Sequence, residues 1–382
     1  MFTLSQVQED TRDVAQSLAA SHLSPASQTM DRNKAFPGDT LRTLGAQGLL
    51  GVNIEAGYGG RAAGVMGYVQ AVRQLAAACA GTTVAMMVTN MVAEAIQAYG
   101  SPEQKDYFLP RICGGDWPAA SFSLSEPGSG SDAASLRTIA ERDGDSYVLT
   151  GTKSWVTSGG HAGVYLVMAA TDPSLRSRGI SSFLIEPGTA GFSAGPPEEK
   201  MGLRSSTTTE LILDECRVHE SRRLGPEGIG FKIAMNALDG GRVGVSAQAC
   251  GVAEAAIGEA RRFVADATHA NDARQTQWQT LLGESEAELE AGWLLCLRAA
   301  QLKDLGKKLT RQAAVSKLYC TEMANRVCDR TLRIMGHAGC DGAARAQQLA
   351  RDVRVTRIYE GTSEVQRIVI AREVLRSMAQ RI

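Results

Sequence analysis

What the chain lacks narrows its possible work first. Its eight cysteines include no C-x-x-C pair, and most lie in apolar helical surroundings, such as Cys79, Cys250 and Cys296. That pattern predicts reduced, buried thiols in a cytoplasmic protein rather than a disulfide framework. The five histidines are scattered, with no H-x-x-E-H and no Cys/His cluster, so no metal centre is expected. No apolar run reaches the roughly 18 residues of a membrane span. The start, MFTLSQVQEDTRDV, has neither the basic and apolar regions of a secretory signal nor an Arg-rich leader. An excess of one charge is missing too: 40 Lys and Arg against 41 Asp and Glu leave −1. That balance gives no electrostatic case for nucleic acid or an anionic membrane as main partner. Tandem repeats and low-complexity linkers are also absent.

What is present is an ordinary globular composition, 44% hydrophobic and 21% charged over 382 residues. That length can bury a large core in two or three layers or domains. Residues 1–118 read as helical. Leu41, Leu44, Leu49 and Leu50 lead into the loop GVNIEAGYGG, and residues 65–99 fit two buried helices broken near Gly81. In SPEQKDYFLP, Ser101 caps a helix with Pro102 at its first position and Gln104 close behind. Residues 119–218 change character. SYVLTGTKSWVTS, VYLVMAAT, ISSFLIEP and ELILDECRV are short, β-branched and separated by turn residues, which predicts a β domain. From Gly228 the helical period returns, with Ala249, Val252, Ala253, Ala256, Ile257 and Ala260 on one face. A polar stretch, DATHANDARQTQWQ, interrupts before further helices from about 281 to 335.

Four stretches carry candidate chemistry. In IYEGTSEVQR, Glu360 precedes Gly361, and Ser363 with Gln366 has capping-box spacing, so Glu360 is placed just before a helix N-terminus. It is either a surface glutamate near a capped helix or a base beside a glycine that lets a substrate approach. SFSLSEPGSGSDAAS runs from a strand into a turn that exposes successive N–H groups, which is either a plain polar turn or a cradle for an anion or a ring carbonyl. Trp155, in GTKSWVTSGG, is either a core residue of a strand or part of a rigid wall for a ring. NALDGGRVGVSAQ opens the long helix with two glycines costing about 1 kcal/mol each against alanine, which close packing of a ligand would justify.

Together these motifs resemble the acyl-CoA dehydrogenase family over nearly the whole chain, with the long helix most similar to the short-chain (butyryl-CoA) branch. The resemblance implies an α+β protein: an N-terminal helical domain (1–118), a middle β domain (119–227) and a C-terminal four-helix bundle (228–382). It implies Glu360 as catalytic base and FAD as cofactor. FAD would be bound by Phe122, Leu124, Ser125, Gly130 and Ser131, by Trp155, Val156 and Thr157, and by Thr362, Ser363 and Glu364. Ser131 would also lie close to the acyl thioester, and Asp239, Gly240, Gly241, Arg242 and Gly361 would bind substrate. Some relatives carry their base on the long helix, where Gly241 or its neighbour stands here, so Glu360 remains the only candidate. Residues between about 85 and 99 would close the floor of the acyl pocket.

The implied reaction is α,β-desaturation of a fatty acyl thioester, the carbonyl being polarised by a flavin ribityl hydroxyl and the Glu360 N–H. An electron-transfer flavoprotein would take the electrons, and the chain would form a homotetramer or homodimer. An oxidase passing electrons to oxygen stays open. Two departures bear on assembly. Ala267 stands at or near the place of an arginine that reaches a neighbouring subunit's FAD, with Arg274 at a different spacing, and Arg333 and His337 replace Gln and Gly in Q-x-x-G-G-x-G. These leave three readings: a homo-oligomer with altered FAD contacts, a subunit of a hetero-oligomer, or a biosynthetic enzyme acting on a carrier-protein thioester.

Overall fold

The computed structural model describes residues 2–266 and 272–379. Six helices come first: α1 (Gln6–Leu18), α2 (Ser24–Asn33), α3 (Gly38–Ala46), α4 (Gly64–Ala78), α5 (Ala80–Tyr99) and α6 (Pro102–Cys113). At α6 the expected cap is complete: Gln104 N donates to Ser101 Oγ at 3.2 Å, and Ser101 N donates to Gln104 Oε1 at 3.1 Å. The break between α4 and α5 falls at Cys79, a single extended residue two positions before Gly81, as expected of a break near that glycine. Gly81 lies inside α5, where a Cβ would collide with Ser205 Oγ, so it serves close packing rather than chain reversal.

The middle of the chain forms one seven-stranded sheet: β1 (Ala120–Ser123), β2 (Ile139–Asp143), β3 (Ser146–Thr157), β4 (Val164–Ala170), β5 (Ile180–Ile185), β6 (Phe192–Ala194) and β7 (Thr208–His219). The order is β1-β4-β2-β3-β7-β6, with β5 paired to β4. β1 runs parallel to β4 with Phe122 opposite Leu166, while β3 and β7 pair antiparallel. Every residue of β4 and β5 is buried, which is why both read as continuous apolar runs rather than as alternating ones.

The helical period returns in α7 (Gly230–Asp266), α8 (Asp272–Asp304), α9 (Thr310–Met335), the short α10 (His337–Cys340), α11 (Arg345–Val353) and α12 (Ser363–Ala379). Helix, sheet, helix is thus the order expected. α7 starts six residues before Asn236, so Gly240 and Gly241 stand in its interior. α8 likewise takes in ARQTQWQ, which had the look of a connection. The first and third segments share one core: Leu41, Leu75, Val84 and Met87 belong to the same apolar cluster as Val243, Ala253, Cys296, Met323 and Val353. Asp304, near the end of α8, fastens the start of α4 by accepting from the Val65 and Met66 amides at 2.6 and 2.9 Å.

Candidate active site

The chain leaves a 3₁₀ turn at Arg357 and reverses before α12 through two left-handed residues, Glu360 at φ 56° and Gly361 at φ 86°. Glycine adopts that region freely; a glutamate there costs about 1–3 kcal/mol and needs its surroundings to hold it. Gln366 does part of this, its Nε2 donating to the carbonyls of Glu360 at 3.1 Å and Gly361 at 2.9 Å. Lys317, from α9, donates from Nζ to the same Gly361 carbonyl at 2.8 Å. With Gln366 so engaged, the expected S-x-x-Q box does not form. Thr362 caps α12 instead, accepting from Val365 N at 3.3 Å, and Ser363 is buried with its hydroxyl donating to Glu322 at 2.7 Å.

Glu360 Oε2 is enclosed and has no hydrogen-bond partner among the described residues. It lies against α7, where any Cβ at residue 241 would collide with it. The two glycines are therefore accounted for: at residue 240 a Cβ would come within 2.5 Å of Lys303 Nζ. Arg242 follows, nearly buried, donating to Asp239 at 2.7 Å, and Thr310 donates to the other Asp239 oxygen at 2.8 Å. Burial pushes the Glu360 carboxyl up to about 7, with the charges of Arg242 and then Lys317 pulling it down. Burial also drives the Lys317 ammonium down to about 8, against the pull of Glu360. A carboxyl near 7, unpartnered and half-buried, suits proton abstraction at neutral pH. The Glu360 N–H makes no hydrogen bond within the described residues.

A second cluster is built between β1 and β3. After Ser123 the chain makes a tight reversal in which Glu126 and Ser129 exchange both backbone hydrogen bonds, at 3.1 and 3.0 Å. The Glu126 carboxylate lies buried beneath it. It accepts from Arg137 N at 2.5 Å, from Thr138 N at 2.9 Å and Oγ1 at 2.6 Å, and from Lys153 Nζ at 2.8 Å. Burial works against ionising Glu126, but Lys153 and these hydrogen bonds hold it below the usual carboxylate range. Lys153, fully buried, also donates to Leu124 O at 3.3 Å, and Ser154 N donates to Ser125 O at 2.9 Å. Residues 122–131 and 153–157 are laced together in this way.

The amides of Gly128, Gly130 and Ser131 are left without a partner among the described residues, and a Cβ at Gly130 would meet open space. Trp155 is 65% exposed at φ 61°, turned outward by the register shift between Lys153 and Val156. That excludes the core-tryptophan reading. Val156 beside it is buried, and the Thr157 carbonyl accepts from Ser121 Oγ at 2.6 Å.

The structure thus gathers Glu360, Gly361 and Asp239–Arg242 in one place, and Phe122–Ser131 with Trp155–Thr157 in another. Sequence reasoning does not single out Lys317 or the Glu126–Lys153 pair, and Gln366, expected to cap α12, holds the Glu360 turn instead. For Lys317 a signal existed: it stands on the buried face of α9 with Ala313, Ala314, Cys320 and Ala324. Of the departures, Arg333 and His337 are exposed on either side of Gly336 (φ 59°), and Arg274 sets its guanidinium 5.8 Å from the Trp278 ring centre. Ala267 falls outside the described residues.

Comparison with known proteins bears on the same residues. Profiles of the N-terminal, middle and C-terminal domains of acyl-CoA dehydrogenase match residues 5–116, 121–216 and 228–375. The chain is similar to the acryloyl-CoA reductase (NADH) of Anaerotignum propionicum, 38% identical over 381 residues that span 98% of this chain and 96% of that one. It is similar to the mitochondrial short-chain specific acyl-CoA dehydrogenase of Rattus norvegicus, 38% identical over 378 residues, 98% of this chain and 91% of that one. The solved structure of butyryl-CoA dehydrogenase from Megasphaera elsdenii matches with a TM-score of 0.95 at 35% identity, covering 98% of this chain and 100% of that one.

Proposed function

The chain belongs to the acyl-CoA dehydrogenase family, flavin-dependent oxidoreductases acting on CH–CH groups, and from that premise we propose that it desaturates a short acyl thioester, with Glu360 as the base. The observation that carries this reading is the enclosed, unpartnered Oε2 of Glu360, held over Gly241 by a left-handed turn. The family is FAD-dependent, and this chain's residues suit such a cofactor. Trp155 offers a bare aromatic face, and three free amides wait on the adjoining loop. Phe122, Leu124, Ser125, Gly130, Ser131 and Trp155–Thr157 would hold it, with Thr362 and Glu364 at the start of α12. When bound, FAD supplies the acceptor for the β hydride.

The chain's own groups do the rest. Glu360 takes the α proton onto its carboxylate, which burial has made basic enough to receive it. Its free N–H is a donor for the thioester carbonyl, where negative charge grows as the proton leaves. Gly361 lets the thioester approach without a side chain in the way, and Gly241 leaves room for the Glu360 carboxylate. Asp239 and Arg242, fixed to each other and to Thr310, line the substrate's path. An electron-transfer flavoprotein is the acceptor in this reading, and the assembly is a homotetramer or homodimer. The exposed Arg333 and His337 favour one other assembly, a hetero-oligomer whose second chain completes the flavin site.

The purified chain should carry about one FAD per polypeptide, and butyryl-CoA should bleach its visible absorption without oxygen. Glu360→Gln should keep the flavin and lose the bleaching. Turnover unchanged by that substitution, with acyl-CoAs of graded length, would sink the role given to Glu360. Flavin that binds only after co-expression with a related chain would favour the hetero-oligomer.

A further inference from the structure

Lys317 is fully buried on α9. A lysine is almost never found so unless its charge is answered. Yet among the described residues no carboxylate lies within ion-pair distance of it, and its hydrogen bond goes to the Gly361 carbonyl. That carbonyl already accepts from Gln366 at 2.9 Å, so satisfying it does not call for an ammonium. Burying an ammonium costs several kcal/mol after relaxation, and a neutral side chain would hold the turn at less expense.

Besides Glu360, the charged groups facing Lys317 come from its own helix and from α12 and α7. Glu322, on α9, is engaged by Arg357 at 2.5 Å and by Ser363. Glu364, at the start of α12, is exposed and lies 3.3 Å from Arg367. Arg242, on α7, is bound to Asp239 at 2.7 Å. Tyr68 from α4 and Tyr359 also stand close enough to Glu360 for its charge to act on their hydroxyls. Among the carboxylates of the described residues, Glu360 alone has an oxygen that is enclosed and unpartnered.

We infer that Lys317 is a positioning residue for the base: its ammonium fixes the Glu360–Gly361 turn through the Gly361 carbonyl and supplies a buried positive charge that favours the carboxylate form of Glu360. This rests on Glu360 being the base. The arrangement has a chemical logic. A direct ion pair would clamp the carboxylate and block its approach to substrate, whereas a cation tethered to the neighbouring carbonyl lends its field and leaves Oε2 unpaired. Arg242, on α7, exerts the larger pull on the Glu360 charge, but it is bound to Asp239 and does not hold the turn.

The test uses the flavin-loaded chain with butyryl-CoA as probe, and three substitutions that separate tether from charge. Lys317→Met removes both, Lys317→Gln keeps a donor for the carbonyl and removes the charge, and Lys317→Arg keeps the charge. The acid limb of the kcat/KM profile should move up by about one pH unit or more in Met and Gln, the scale expected for losing a nearby opposite charge, and stay in place in Arg. The infrared carboxyl band of Glu360, taken as a difference against Glu360→Gln, should titrate with the same shift and does not depend on turnover. A band that titrates alike in wild type, Gln and Arg overturns the inference. If Glu360→Gln itself keeps full turnover, the reading of the base falls, and that result is distinct from any outcome at residue 317.

Discussion

One carboxylate oxygen of Glu360 occupies the space that a side chain at residue 241 would fill. The relation sets stability against function at a single position. Gly241 lies inside α7, so alanine there should favour the helix by about 1 kcal/mol. The obstructing atom is the end of a flexible side chain, which can move aside. Gly241→Ala should therefore keep or raise the melting temperature while kcat falls by about 10²-fold, the scale of a 1 Å misplacement. Thermal melts and steady-state rates on the same preparation check this; full activity would mean that the carboxylate works from elsewhere.

The same carboxyl should leave a mark on stability against pH. Its folded value, about 7, lies above its unfolded one. The folded chain thus holds a proton that the unfolded chain has already released, and stability drains away as pH rises from the ordinary glutamate range to about 7. Glu360→Gln has no proton to lose. Its melting temperature should match wild type near pH 5 and exceed it at pH 8, by at least about 2 °C. Equal melts at pH 8 would mean that the carboxyl is not perturbed.

Lys153 and Glu126 should behave as a unit. Removing one leaves the other buried and charged without its partner, a loss of about 3–5 kcal/mol. Lys153→Met and Glu126→Gln should each be destabilised on that scale, and the double variant should lose much less than their sum. All three should retain less flavin after gel filtration, because the segments 122–131 and 153–157 lose their lacing. Additive losses in denaturant would show that the pair is not coupled.

Trp155 offers the opposite combination. It is mostly exposed, so Trp155→Ala should change stability by no more than about 0.5 kcal/mol. Flavin retention should nevertheless drop clearly. Denaturant melts of the flavin-free chain and flavin counts of the loaded one separate the two effects.

Much of the fold was legible because burial writes itself into sequence. The continuous runs of β4 and β5 and the small-residue face of α7 each announce what packs on them. Errors arose where a residue serves a distant partner. The break near Gly81 was legible, but the reason for the glycine was not: it makes room for Ser205, in the loop before β7. Gln366 has capping spacing but is drawn away by the carbonyls of the Glu360 turn. The outward turn of Trp155 depends on a register shift that no alternation pattern encodes. Lys317 was overlooked because its meaning lies in a carbonyl forty-four positions away.

The core shared by the first and last helical segments has a consequence during synthesis. The apolar faces around Val84 and Met87 are made early, but apart from Leu203 their later counterparts begin at Val243. Between Met87 and Val243 lie 155 residues, which at about 5–20 residues per second take roughly eight to thirty seconds to emerge. During that interval the sheet can close on itself while the leading helices wait with their inner surfaces bare. A nascent chain of this kind is a natural client for holding chaperones, and its yield should respond to how fast the ribosome crosses the sheet.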